Sequence, residues 1–270
     1  MTDLIPNITT TELLGNVTGI AGAAAAEILA IYDTDFRVDN KDDRSPLTAA
    51  DMASHKLICR RLAEIDASVP VLSEESANIP YSTRSGWDTY WLVDPLDGTR
   101  EFVKRNGEFT VNIALISANK PVLGVVHVPV GGRCYFAAAG AGAHVSDGGK
   151  TTPLAVKQTV AGEFIIAGSR SHGSDRQNAF IEKLPGKVEM IAIGSSLKFC
   201  LVAEGKVDLY PRFGPTSEWD TAAAQCVVEQ AGGLVTDLAF EPLRYNTRES
   251  LLNPEFLVIA DPTFDWKPYL

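Results

Sequence analysis

Two short apolar runs, residues 69–72 and 90–93, each stop at acid: the first in Ser73-Glu74-Glu75, the second in Asp94. Short apolar runs bounded by polar residues read as buried strands. Both strands therefore deliver carboxylates to one place at their carboxyl ends, and this feature most restricts the fold. Around it the chain alternates helical and extended patterns. Thr9 and Glu12 have capping-box spacing ahead of an Ala/Leu/Ile-rich segment that runs to residue 32, which predicts a first helix. Residues 39–44 are polar and charged and predict a loop. Ser45-Pro46-Leu47-Thr48 then opens a second helix: Thr48 can accept from a first-turn amide, Asp51 suits the positive end of the dipole, and Leu57, Ile58, Leu62 and Ile65 continue the apolar face.

Extended runs at 109–116, 122–128 and 134–138 predict an antiparallel meander. After the turn-rich residues 147–152, strands at 164–167, 188–193 and 207–210 alternate with helices from Asp175, over 195–204 and over 218–231, as in an α/β unit. The change near residue 155 predicts two subdomains. Residues 1–155 form an α+β unit with an antiparallel sheet and the acidic turn at 94–99; residues 156–270 form an α/β unit that contributes Asp220. No linker, repeat or low-complexity segment separates them.

Composition narrows the function. The chain has 270 residues, with 34 Asp+Glu against 24 Lys+Arg and a formal net charge of −10. No clustered basic run exists to neutralise a phosphate backbone, so nucleic-acid polymers are excluded as partners and any nucleotide is met as a small molecule. Cys59, Cys134, Cys200 and Cys226 form no C-x-x-C pair, and core thiols of a reducing cytosol are the plain reading. No positive charge precedes Arg37, and the apolar residues 19–32 are too few to span a bilayer and include Glu27. The expectation is a cytoplasmic protein without a transmembrane segment, compatible with peripheral membrane contact and with a homodimer. Gly149-Lys150-Thr151 ends like a Walker A loop, but His144 stands where its first glycine is required. His55, His127, His144 and His172 show no H-E-x-x-H pairing, which disfavours zinc hydrolysis.

Asp94-Pro95-Leu96-Asp97-Gly98-Thr99 is the most informative segment. Mg²⁺ wants oxygen ligands from several directions, and this turn offers Asp94, Asp97 and the Leu96 carbonyl, while the Gly98 and Thr99 amides can hold a phosphate. An acidic surface turn with a helix cap is the competing reading. Glu74 and Glu75 read equally as solvated strand-end charges, and Asp51 and Asp220 equally as helix caps.

In combination these segments resemble the inositol monophosphatase superfamily. Its signatures Asp-Pro-x-Asp-Gly-Thr and Trp-Asp-x-Ala-Ala stand at 94–99 and 219–223. Val71-Leu72-Ser73-Glu74-Glu75, the block 90–116, the block 194–205 and residues 210–216 are most similar to its bacterial 3′(2′),5′-bisphosphate nucleotidase branch. The resemblance implies an α-β-α-β-α layered sandwich and lithium-sensitive, Mg²⁺-dependent hydrolysis of adenosine 3′,5′-bisphosphate to AMP, a step of sulfur metabolism. It further implies two or three Mg²⁺ ions per site. Glu74, Asp94 and the Leu96 carbonyl would hold the first, and Asp94, Asp97 and Asp220 the second. Asp51 and Thr99 would form the pair that deprotonates water, with Glu74 beside them. Ser169, His172, Ser196, Lys198 and Arg212 would contact the nucleotide, as Glu74, Asp97, Gly98, Thr99, Asp220 and Leu96 would contact its phosphate. An inositol-phosphate phosphatase and a non-catalytic metal- or nucleotide-binding regulator are the rival readings.

Overall fold

The structure is a computed structural model that describes residues 4–34, 45–169 and 175–270. The charged stretch expected as a loop at 39–44 lies outside them. Helix α1 (Thr10–Tyr32) begins as the capping pattern predicts, with Thr9 Oγ1 accepting from the Glu12 amide at 3.3 Å. Helix α2 (Ser45–Ile65) already contains Thr48 inside the helix, so Thr48 is an exposed helical residue and not the cap. Strand β1 (Val71–Ser73), the short helix α3 (Tyr81–Arg84), β2 (Thr89–Asp97) and helix α4 (Thr99–Val103) follow. The meander comprises β3 (Thr110–Ser117), β4 (Lys120–His127), β5 (Cys134–Ala138), β6 (Gly142–Asp147) and β7 (Lys150–Pro153). The turn-rich residues near 150 are thus the tip of a β6–β7 hairpin, which rules out a phosphate loop there. Then come β8 (Glu163–Ser169), α5 (Asp175–Glu182), β9 (Lys187–Ile193), α6 (Leu197–Ala203), β10 (Leu209–Arg212), α7 (Ala222–Gln230), β11 (Leu234–Asp237) and β12 (Phe256–Ile259).

Two sheets organise these elements. The first runs β1-β2-β3-β4-β5-β6-β7, parallel only between β1 and β2; the second runs β11-β12-β10-β8-β9. Three apolar cores fill the spaces between layers, giving the α-β-α-β-α sandwich. One lies between α1, α2 and the first sheet, around Val17, Ile58, Trp91 and Ile113. A second, between the sheets, holds α6 and α7 around Leu92, Phe199 and Val227. The third covers the far face of the second sheet, where Phe180 of α5 meets Phe164 and Trp266. The structure carries α1 back to Thr10, making it 23 residues, long and apolar enough by length and composition to cross a membrane. Its face bearing Leu13, Val17, Ile20 and Ile28 is buried against the sheet.

One close approach sets the position of α7. A Cβ on Gly124 of β4 would lie 2.2 Å from the Ala223 carbonyl and 2.8 Å from Cys226 Cβ. Only glycine lets the first turn of α7 sit this deep on the sheet.

Candidate active site

In a regular strand residues three apart face opposite ways. Asp94 and Asp97 nevertheless come together, because β2 does not end at Asp94 as the apolar run suggests; it continues to Asp97 through a bulge. Asp94 pairs with Asn112 and Asp97 with Thr110, three steps on β2 against two on β3. The alternation confirms the change of phase. Tyr90 and Leu92 face the inter-sheet core, Trp91 and Val93 face the helices α1 and α2, and Leu96 joins the latter pair although even numbering would place it with the former. Pro95 sits where the ladder is interrupted, so its missing N–H costs no strand bond. Its carbonyl accepts from Ser54 Oγ at 2.8 Å, and the Leu96 amide donates to Asp94 Oδ1 at 3.0 Å. Gly98 follows at φ 96°, in the left-handed region, with the Glu108 carbonyl 3.1 Å from the place of a Cβ; a side chain is excluded twice over.

The third carboxylate comes from the other half. The helix expected over 218–231 is broken: Glu218–Asp220 form a 3₁₀ turn, and α7 starts two residues later. Asp220 accepts the Ser217 amide at 2.9 Å, so the capping reading is correct as far as it goes. The same carboxylate lies with Asp94 and Asp97 in a trio offering oxygens within 4.8 Å of one another. Burial, reinforced by the charges of Asp97, Glu74, Asp220 and Asp51, holds the Asp94 carboxyl well above the usual carboxylate range. Burial and then Asp97 push Asp220 up to about 8. Crowded by neighbouring atoms and by Asp97 and Glu75, Glu74 at the end of β1 rises to about 6, while hydrogen bonds to Asp94 and Trp219 oppose the shift. The cluster thus concentrates negative charge that a cation would offset, and its donors are all oxygen, which suits a hard divalent ion. The residues present fit a divalent metal.

Asp51, buried on α2, stands against the same group. Its carboxyl is raised to about 8 by burial, by the charge of Glu75 and a hydrogen bond to it, and by Glu74. Its Oδ1 is buried without a hydrogen-bond partner, so the expected bond from Thr99 to that oxygen is not formed in this structure. Beside the trio opens a pocket of about 210 Å³ lined by Gly98, Thr99, Ser196, Lys198, Arg212 and Asp220. Lys198 is buried, not on a solvated helix face; its Nζ donates to the carbonyls of Ser195 at 2.7 Å and Ile193 at 3.2 Å, and burial lowers it to about 8. Arg212 Nη2 donates to the Pro215 carbonyl at 3.0 Å, while its Nε is buried with no partner. His172 lies outside the described residues, as does the side chain of Ser169.

Sequence reading missed three supporting residues. Asn112 pairs with Asp94 and donates to Ser196 Oγ at 2.9 Å. Trp219 bonds the Glu74 carboxyl. Glu218, buried, accepts the Asn246 amide at 2.9 and 3.1 Å and anchors the turn that bears Asp220. Trp219 stands in the signature at 219–223, which assigned it no role, and the one signal for Glu218 was its adjacency to Asp220.

A layered sandwich with this acidic centre defines a class, and the comparisons agree: the inositol monophosphatase family model matches residues 10–261, and the chain belongs to that family. The 3′(2′),5′-bisphosphate nucleotidase CysQ of Escherichia coli strain K12 is 48% identical over 248 residues, covering 91% of this chain and 99% of that protein. The crystal structure of CysQ from Bacteroides thetaiotaomicron, a bacterial member of the family, superposes with a TM-score of 0.83 at 44% identity, covering 91% of this chain and 97% of the other. An inositol monophosphatase from Zymomonas mobilis shares the fold, with a TM-score of 0.78 at 20% identity, covering 96% of each chain.

Proposed function

We propose that this protein is a Mg²⁺-dependent 3′(2′),5′-bisphosphate nucleotidase that hydrolyses adenosine 3′,5′-bisphosphate to AMP and phosphate. The observation that carries the reading is the acidic trio of Asp94, Asp97 and Asp220 beside a pocket lined by the cationic side chains of Lys198 and Arg212. The relatives' activity and the extent of identity support the same substrate class.

Glu74, Asp94, the Leu96 carbonyl, Asp97 and Asp220 would hold two or three Mg²⁺, with Asp94 shared. A divalent ion held by these residues would lower the pKa of a water and offset charge on the phosphoryl oxygens. Thr99 Oγ1 would accept the proton of the attacking water, and Asp51 Oδ1, buried and unpartnered, would take the Thr99 hydroxyl proton once the charge of the neighbouring carboxylates that raises it is offset. Gly98 and Thr99 amides hold the phosphate being released. Lys198 and Arg212 face the second phosphate, which adenosine 3′,5′-bisphosphate carries and inositol 1-phosphate lacks.

The test compares kcat/KM for those two substrates in wild type, Arg212→Ala and Lys198→Ala. A charge-assisted contact of roughly 1.5–3 kcal/mol predicts a loss of about ten- to a hundredfold on the bisphosphate and little on inositol 1-phosphate. Wild-type preference for inositol 1-phosphate would remove the nucleotidase reading and leave an inositol-phosphate phosphatase. Absence of turnover on both with Mg²⁺ present would leave a binding protein.

A further inference from the structure

Ser196 is expected among the nucleotide contacts and does line the pocket, yet its polar atoms are committed elsewhere. It is 2% exposed. Its amide donates to Asp97 Oδ2 at 2.7 Å, and its Oγ lies 2.8 Å from the same oxygen and 2.8 Å from the Asp220 carbonyl. The Asn112 side-chain amide donates to that Oγ, occupying one lone pair. The hydroxyl has one proton to give; with Asn112 on its acceptor side, that proton is shared between Asp97 Oδ2 and the Asp220 carbonyl, both 2.8 Å away, so it bridges the two, while the Ser196 amide serves Asp97 alone. Thr110 and Asn112 add longer bonds to Asp97 Oδ2, each at 3.4 Å. That oxygen is surrounded by protein donors, so the other is turned free for the acidic trio.

The turn that presents Ser196 is itself wedged in place. Gly194 leaves no room for a side chain, since a Cβ would lie 2.6 Å from Glu101 Cγ and 2.8 Å from the Glu108 carbonyl. Its amide donates to Glu108 Oε2 at 2.9 Å. Ser195 takes φ 45°, a left-handed conformation uncommon for a residue with a side chain, and its carbonyl is held by Lys198 Nζ. Backbone held in a sparsely populated region persists only where the surroundings over-determine it.

We propose that Ser196 is a positioning residue of the cation-binding centre and not a nucleotide contact: it locks one oxygen of Asp97 and the main chain of Asp220, joining the two halves of the acidic trio. This rests on the reading of the trio as a cation site. Partners that orient metal ligands typically change metal affinity by about ten- to a hundredfold when removed.

The experiment uses the full chain, with Ser196→Ala, Asn112→Ala and the double variant. The thermal midpoint is followed against Mg²⁺ concentration without substrate, and KM for adenosine 3′,5′-bisphosphate is measured at saturating Mg²⁺. In Ser196→Ala the Mg²⁺ concentration giving half the thermal shift should rise about ten- to a hundredfold, with KM within about twofold of wild type. A wild-type Mg²⁺ response with a raised KM would overturn the proposal and return Ser196 to the nucleotide. The double variant should shift the Mg²⁺ response by less than the product of the single effects, because Asn112 acts chiefly through the Ser196 hydroxyl at 2.9 Å, its own bond to Asp97 being long at 3.4 Å; full multiplication would overturn the shared network. Should Ser196→Ala not fold, Ser196→Gly, which also lacks the hydroxyl, is read by the same two measurements with the same outcomes. A wild-type protein whose stability ignores Mg²⁺, yet which hydrolyses the bisphosphate, would overturn this proposal and spare the proposed activity.

Discussion

The acidic trio is held by two different devices. Asp94 and Asp97 belong to β2, an inner strand of the seven-stranded sheet paired with β1 on one side and with β3 on the other. Asp220 belongs to a three-residue turn, held by the Ser217 amide, by the anchoring of Glu218 on Asn246 and by the Asp220 carbonyl on Ser196. Pairing with β1 ends at Val93, so Asp94 and Asp97 are held by β3 on either side of the bulge; moving them disturbs the β2–β3 ladder, whereas moving the third residue shifts only a turn. The site thus combines two carboxylates set by strand pairing with one set by side-chain and main-chain bonds to a short turn.

The largest effect should separate the two sides. Asp94→Asn removes the carboxylate shared by both proposed cations and should lower kcat/KM on the order of 10³-fold or more. Its metal-free thermal midpoint should stay equal or rise near pH 8, because burial and then the charges of its neighbours both disfavour the native Asp94 carboxylate. Asp220→Asn should be less severe than Asp94→Asn; the reverse order, measured side by side, would show that the turn and not the sheet carries the centre.

A smaller effect should follow from moving α7 rather than its charge. Gly124→Ala forces a Cβ against the Ala223 carbonyl, and overpacking of this kind costs about 1–3 kcal/mol. The Mg²⁺ response should weaken with it, since Asp220 rides at the entrance to α7. Gly19→Ala in α1 has no atom within 4 Å of the new Cβ and should be neutral or stabilising, by up to about 1 kcal/mol. Denaturation curves for both, with and without Mg²⁺, make the comparison, and an unaltered Mg²⁺ response in Gly124→Ala would uncouple α7 from the site.

The last effect is in pH. Asp51 and Asp220 are raised to about 8 and Glu74 to about 6, whereas unfolded carboxyls titrate near 4. Between those limits the metal-free folded protein holds more protons than the unfolded chain, so its stability should fall as pH rises from about 5 to 8 and level off above. Protons and Mg²⁺ compete for these carboxylates, so stabilisation by a fixed Mg²⁺ concentration should grow over the same interval. Thermal midpoints in chelator and in Mg²⁺ at pH 5.5 and 8 test both slopes. A metal-free midpoint that rises with pH would contradict the raised carboxyls.

Much of this was legible in one dimension. The apolar runs, the Thr9 cap and the meander follow from periodicity and local hydrogen bonding, which act over a few residues and leave their trace in the order of residues. The acidic residues were also legible, because their motifs lie intact at 94–99 and 219–223. What could not be read was the phase of β2 after Asp94, since a bulge depends on the partner strand: the two steps of β3 facing three of β2 exist only once the sheet has formed. Ser196 was similarly hidden. Its hydroxyl had no reason, in sequence, to choose Asp97 and Asp220 over a ligand, and the choice is made by a wedged turn and an asparagine on another strand. Sequence alone determined which acidic groups are available to the candidate site, because that is a property of side chains. Tertiary structure decided which of them meet and which oxygen of each is free, because distance and direction across 126 positions from Asp94 to Asp220 are set by packing, not by neighbours along the chain.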